Sequence, residues 1–161
     1  MTISRSRAGL LLAGLALAAC SGTGTGRLDA EALGKRFCAA VMAGDEAAAV
    51  ALMTPELQAK IAQVKVFDAG WRQRNPTEKP PLGDGLRLTA WQDAPQSCTP
   101  EVAADGSVLL TYVPAGVPTE RWQDRLVLTT GRPPRIADIG YDRDNSGGFD
   151  VWLDAALASP G

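Results

Sequence analysis

The chain contains no histidine. That absence removes the commonest general base, the commonest metal ligand and every histidine-assisted nucleophile. Basic residues are not in excess either, since 16 Lys and Arg stand against 18 Asp and Glu. Nucleic-acid binding rests on basic side chains neutralising phosphates, so it is not expected. A continuous run of Ala, Gly and Leu covers Ala8 to Ala19, but it is too short to span a bilayer as a helix. There is no long low-complexity block. With 45% hydrophobic and 21% charged residues over 161 positions, the composition is that of one folded domain able to bury a core.

What stands at the front is a leader. Arg5 and Arg7 form a positive n-region ahead of the apolar run, which has the length of a signal-peptide h-region. The run ends in Leu17-Ala18-Ala19-Cys20. This resembles the bacterial lipobox, in which the cysteine becomes the lipid-modified first residue of the mature protein. The resemblance implies a signal peptide over 1–19, an acylated Cys20 and a chain anchored in the cell envelope, facing the periplasm. Ser21 rather than Asp after the cysteine favours the outer membrane by the sorting rule of enteric bacteria. Removing the leader strips Arg5 and Arg7 and no acids, leaving 16 − 2 = 14 basic against 18 acidic residues, a formal charge of −4. Such a surface does not adhere to anionic lipid by charge, so the acyl chains must do the anchoring. Lipidation of Cys20 leaves an even pair, Cys38 and Cys98, in an oxidising compartment, where a disulfide is expected. The alternative is two buried free thiols acting as small hydrophobes. Zinc chemistry finds no support in two cysteines sixty positions apart.

Residues 20–28 read as the anchor and a short Gly/Ser/Thr tether, and 29–161 as the domain. Asp29 can cap a helix over Ala30 to Ala43, with Leu33, Phe37 and Val41 on one stripe, and Gly44 stops it. Asp45 caps an alanine-rich second helix, Glu46 to Met53. Thr54-Pro55-Glu56 starts a third, running to Trp71, with Leu57, Ile61, Val64 and Trp71 along one side. Arg72 to Gly85 reads as a surface loop. Strands are expected at Leu86–Trp91, Cys98–Ala103 and Ser107–Val113. The hairpin Arg121–Thr129 and Arg135–Tyr141 follows, joined by a turn at Gly131, Pro133 and Pro134. Asp144 to Gly148 reads as a turn, and Phe149 to Leu157 as a closing helix that offers Phe149, Trp152, Leu153 and Leu157 for burial. Helices first and antiparallel strands afterwards make the class α+β, with N-terminal helices packed on a curved antiparallel sheet.

Four pieces carry a second resemblance: Ala43-Gly44-Asp45, Thr54 to Leu57, Trp122 to Leu128, and Arg135 to Tyr141. Together they look like the nuclear-transport-factor-2-like cone, similar to small envelope lipoproteins of bacteria. The resemblance spans about Asp29 to Asp142. It implies a concave sheet face that can keep an apolar pocket, for which Trp71, Trp91, Tyr112 and Trp122 are the candidate lining residues. The expected function is non-enzymatic binding of a small apolar ligand or of an envelope protein. The alternative is a hydrolase or isomerase. Some cone-fold enzymes use an Asp base and a Tyr donor in an apolar pocket, and Asp124, Asp138, Tyr112 and Tyr141 are available. Asp138 reads more simply as an edge residue pairing with Arg125 or Arg135. Asp142, Asp144, Ser146 and Gly147 follow the opening spacing of a calcium loop. The twelfth position is Leu153 instead of Glu, with Asp154 one place late. A polar turn is therefore preferred, and neither a metal nor a cofactor is expected.

Overall fold

The computed structural model describes residues 22–90, 94–117, 119–141 and 147–159, with only the backbone for 22–25. The stretch read as a leader, Cys20, Trp91 and the calcium-like stretch 142–146 lie outside the described residues. Three helices come first: α1 (Gly22–Ala43), α2 (Glu46–Val50) and α3 (Pro55–Arg74). The strands β1 (Pro95–Val102), β2 (Val108–Pro114), β3 (Trp122–Leu128) and β4 (Ile136–Tyr141) follow, and α4 (Phe149–Leu157) closes the chain. The strands form one antiparallel sheet in sequential order. The fold is α+β, with a sheet that does not close into a barrel. Among the described residues no helix is long and apolar enough to cross a membrane.

The helix signals act as their chemistry requires. Gly44 adopts a φ of 65°. Its N–H reaches the Val41 carbonyl and the Asp45 N–H reaches Ala40, the paired bonds that end a helix on a left-handed residue. The Asp45 carboxylate accepts from the Ala48 N–H at 2.9 Å, and Thr54 Oγ1 from the Leu57 N–H at 3.3 Å. Helix α1 begins earlier than expected, running back through residues read as a tether. Extending an existing helix adds one bond per residue fixed, without the cost of nucleation, so weak formers can be recruited.

Residues in β2 and β3 alternate between buried and outward-facing. Val108, Leu110 and Tyr112 join Trp122, Leu126, Ile136 and Ile139 beneath the helices, where Phe37, Met53, Val64, Phe149 and Leu153 complete the core. Helix α1 lies close on the sheet. A Cβ on Gly34 would stand 2.8 Å from Val108 Cγ1 and 2.9 Å from Pro100 Cβ. One turn further on, Cys38 is disulfide-bonded to Cys98, with a Cα–Cα distance of 5.5 Å. The bond locks α1 to β1 across 60 positions of sequence, a closure that contributes roughly 4 kcal/mol on the chain-entropy argument.

One expected strand is absent. Leu86 to Ala90 forms no ladder and runs as an irregular strap. Its polar groups go instead to side chains and local turns: the Ala90 N–H to Asp124, the Arg87 carbonyl to Tyr141, and the Leu88 N–H to the Leu86 carbonyl. Partners of that kind satisfy the backbone as well as a sheet edge would. The polar alternation of the segment suits both.

Candidate functional site

Two buried acids fasten the strap. Asp68 lies on the buried stripe of α3, between Val64 and Trp71. Its carboxylate accepts from Arg72 Nε at 2.6 Å and from the Leu82 N–H at 2.9 Å. Arg72 also donates to the Gly83 carbonyl at 2.8 Å. Asp124 lies on the inner face of β3, between Trp122 and Leu126, and is only 1% exposed. Its Oδ2 accepts from the Ala90 N–H at 3.0 Å. Between these pins, the Tyr141 hydroxyl donates to the Arg87 carbonyl, and the Arg87 guanidinium sits 4.9 Å above the Tyr141 ring. The segment from Leu82 to Ala90 is therefore held at both ends and in the middle by polar groups of α3, β3 and β4.

Beneath the strap is a polar patch within the apolar core. Asp124 pairs across the sheet with Leu110 on one side and Tyr141 on the other. Tyr112 stacks on Trp122 with ring centroids 5.4 Å apart. Tyr112 is fully buried, and its hydroxyl has no hydrogen-bond partner among the described residues. Burial, and then the charge of Asp124 and the proximity of Tyr141, push its pKa well above the usual 10.0.

On the outer side, the strap walls a half-open groove of about 720 Å³. Ala40, Val41 and Gly44 at the end of α1 form one flank, residues 79–89 another, and Trp152 of α4 reaches in. Trp152 is half-buried and stacks on Phe149 with centroids 5.7 Å apart. The size falls within the range of small-molecule sites.

The candidate residues separate in the fold. Tyr112 and Trp122 come together as packed core and line neither this groove nor the second one at the opposite end of α1. Trp71 is buried on α3, outside the contiguous core that holds them. Trp91 lies outside the described residues. Among the described residues, Trp152, which the sequence offered for burial, is the tryptophan that lines the groove. Its signal was its position three residues after Phe149, at the flank of the buried stripe.

Asp138 pairs with neither Arg125 nor Arg135. Its Oδ1 accepts from the Asp150 N–H at 2.9 Å and so caps α4 from outside the helix, where Gly148 offers no side chain. Arg125 instead holds Asp105 at 3.1 Å and Ser107 Oγ at 2.6 Å, and Arg135 donates to the carbonyls of Ala51 and Met53. Leu153, at the twelfth position of the calcium-like spacing, is fully buried. Asp154 is drawn to Lys60 at 2.7 Å. Among the described residues no three Asp, Glu or Cys side chains gather as a metal site would require.

No family model matches the chain, and no curated protein or solved structure matches it.

Proposed function

We propose that this chain is an exported domain, anchored to the cell envelope through acyl chains on Cys20, that binds a small ligand without transforming it. The observation that carries the reading is the groove of about 720 Å³ between the end of α1, the strap and Trp152. Its apolar lining includes Val41, Leu82, Leu86, Leu88 and Trp152, and its charged lining Glu46, Lys79, Asp84 and Arg87. The Cys38–Cys98 bond supports export, since disulfides persist in oxidising compartments. A helical layer on one face of an antiparallel sheet supports the resemblance to the nuclear-transport-factor-2-like cone.

Native mass spectrometry of the protein released gently from its own envelope tests the ligand. A small molecule should travel with the wild type and be lost from Trp152→Ala. A bare chain at every detergent condition contradicts the reading. Cys20→Ser tests the anchor, and the variant should leave the membrane fraction; retention requiring detergent would contradict lipidation.

One observation favours the enzymatic alternative: Asp124 is a buried carboxylate in an apolar setting beside the Tyr112 hydroxyl. The hydrogen bond to Ala90 gives that carboxylate a structural task already. Asp124→Asn separates the two readings. An amide oxygen still accepts from Ala90, so ligand retention should survive the substitution, whereas a general base would be lost.

A further inference from the structure

Between the end of α3 at Arg74 and the start of β1 at Pro95, no described residue belongs to a helix or a strand. A connection of about twenty residues without secondary structure is long for a compact domain, and such stretches usually serve as lids or binding loops. This one walls the groove of about 720 Å³ with residues 79–89, across from Val41 and Trp152.

The two parts of the strap are held differently. Leu82 is buried in the core with its N–H on Asp68, and the Gly83 carbonyl is held by Arg72. A turn follows, closed by the Gly85 N–H on the Leu82 carbonyl at 3.1 Å. Gly85 itself has a φ of 143°, and a Cβ there would meet nothing within 4 Å, so the backbone has both the freedom and the space to turn. Beyond it, Leu86, Leu88 and Ala90 are only half-buried against the core. The Tyr141 hydroxyl holds the Arg87 carbonyl there, and Asp124 holds the Ala90 N–H. The Leu88 N–H bonds within the strap, to Leu86. A segment fixed by side chains and half-buried aliphatics, with no ladder, opens at a lower cost than the sheet beneath it.

We propose that residues 86–90 form a lid on the groove, hinged at Gly85 and latched to the sheet by Tyr141 and Asp124. The lid lifts as one piece while Leu82, the helices and the sheet stay in place. Lifting removes the wall that Leu86, Arg87, Leu88 and Thr89 give the groove, so entry and release need no wider unfolding. A ligand touching both the strap and Trp152 joins the moving wall to the fixed one, and therefore favours the closed position. The use of the lid rests on the binding function proposed above; its motion does not.

Native-state hydrogen–deuterium exchange of the unliganded protein, with Cys38–Cys98 intact, tests the lid. The Leu88 and Ala90 amides should share one opening free energy. They should exchange about a hundredfold faster than the Leu82 amide and the ladder amides of β2 and β3. Tyr141→Phe removes the latch on the Arg87 carbonyl and leaves the bond from Ala90 to Asp124 in place. It should nevertheless speed exchange at Leu88 and Ala90 alike, by about tenfold. Leu88→Ala removes half-buried apolar area without deleting a hydrogen-bonding group, and should speed Ala90 by about tenfold as well. An Ala90 amide no faster than those of β2 and β3 would overturn the lid, because the strap would then open only with the whole fold. So would an Ala90 amide indifferent to both substitutions, which would mean that each bond breathes alone. A Leu82 amide that opens together with Ala90 would overturn the hinge at Gly85. Protein taken from the envelope without any small molecule would contradict the binding function alone, because the exchange is measured on the empty groove.

Discussion

Asp68 and Asp124 stand in phase with apolar stripes, one on α3 and one on β3, and each is consumed in fixing a backbone N–H of the strap. Asp124→Ala should destabilise the fold by roughly 1–3 kcal/mol, because the Ala90 N–H loses its acceptor while the segment stays folded over it. Asp124→Asn should cost less, and chemical denaturation of both variants measures the difference. Tyr112 behaves oppositely. Its hydroxyl is desolvated and finds no partner among the described residues, so Tyr112→Phe should be as stable as the wild type or more so by about 1 kcal/mol. Its titration has a definite sign. With the folded pKa raised above the usual 10.0, its contribution to stability is intact below pH 10. It is lost as pH rises from there toward the folded value, because the unfolded chain ionises first. Phenolate absorbance assigned to Tyr112, by comparison with Tyr112→Phe, should therefore appear only with alkaline unfolding; a freely reversible transition near pH 10 in the folded protein would contradict its burial. At this scale the sequence was informative in an unexpected way. The spacing that assigned Val64 and Trp71, or Trp122 and Leu126, to the core assigns the acid between them to the core as well. Charge alone argues for the surface; the strap, a distant segment, together with Arg72 beside Asp68, supplies hydrogen bonds that reverse that preference.

Among the elements, helix α1 and its contact with the sheet are the most constrained. Gly34 sits where a methyl group would press on Val108 and Pro100. Intrinsic helix propensity favours Ala over Gly by up to about 1 kcal/mol. The crowding should win, making Gly34→Ala destabilising by about 1–3 kcal/mol; a rise in melting temperature would show that the helix can shift outward. Reduction of Cys38–Cys98 should cost roughly 4 kcal/mol, measurable by denaturation with and without reductant. The helix starts at Asp45 and Thr54, the glycine stop at Gly44, the disulfide pair and the closing helix were legible because each is determined by local chemistry or by parity. The segment from Leu86 to Ala90 was not. Its alternation fits a strand, and its actual course depends on Asp124 and Tyr141, which lie far from it in sequence. The reach of Asp138 across to α4 was hidden for the same reason.

Taken whole, the molecule has two ends. Helices α3 and α4 are tied along its side by Lys60, which bonds Asp150 at 2.6 Å and Asp154 at 2.7 Å. Burial works against the Lys60 charge, yet those hydrogen bonds and the two nearby carboxylates outweigh it and hold its pKa above the usual 10.5. The two grooves lie at opposite ends of α1, one beside Gly26 and Arg27 and the other, walled by the strap, beside Ala40 and Val41. The proposed function depends on the chain being exported and acylated. The intact mass of the mature protein, taken from its own envelope and measured denatured without reductant, tests that dependence most directly. The account predicts a chain beginning at Cys20, heavier by a diacylglycerol and any further acyl group, and lighter by the hydrogens lost in joining Cys38 to Cys98. A chain still beginning at Met1, or one beginning at Cys20 with three free thiols and no lipid, would contradict it.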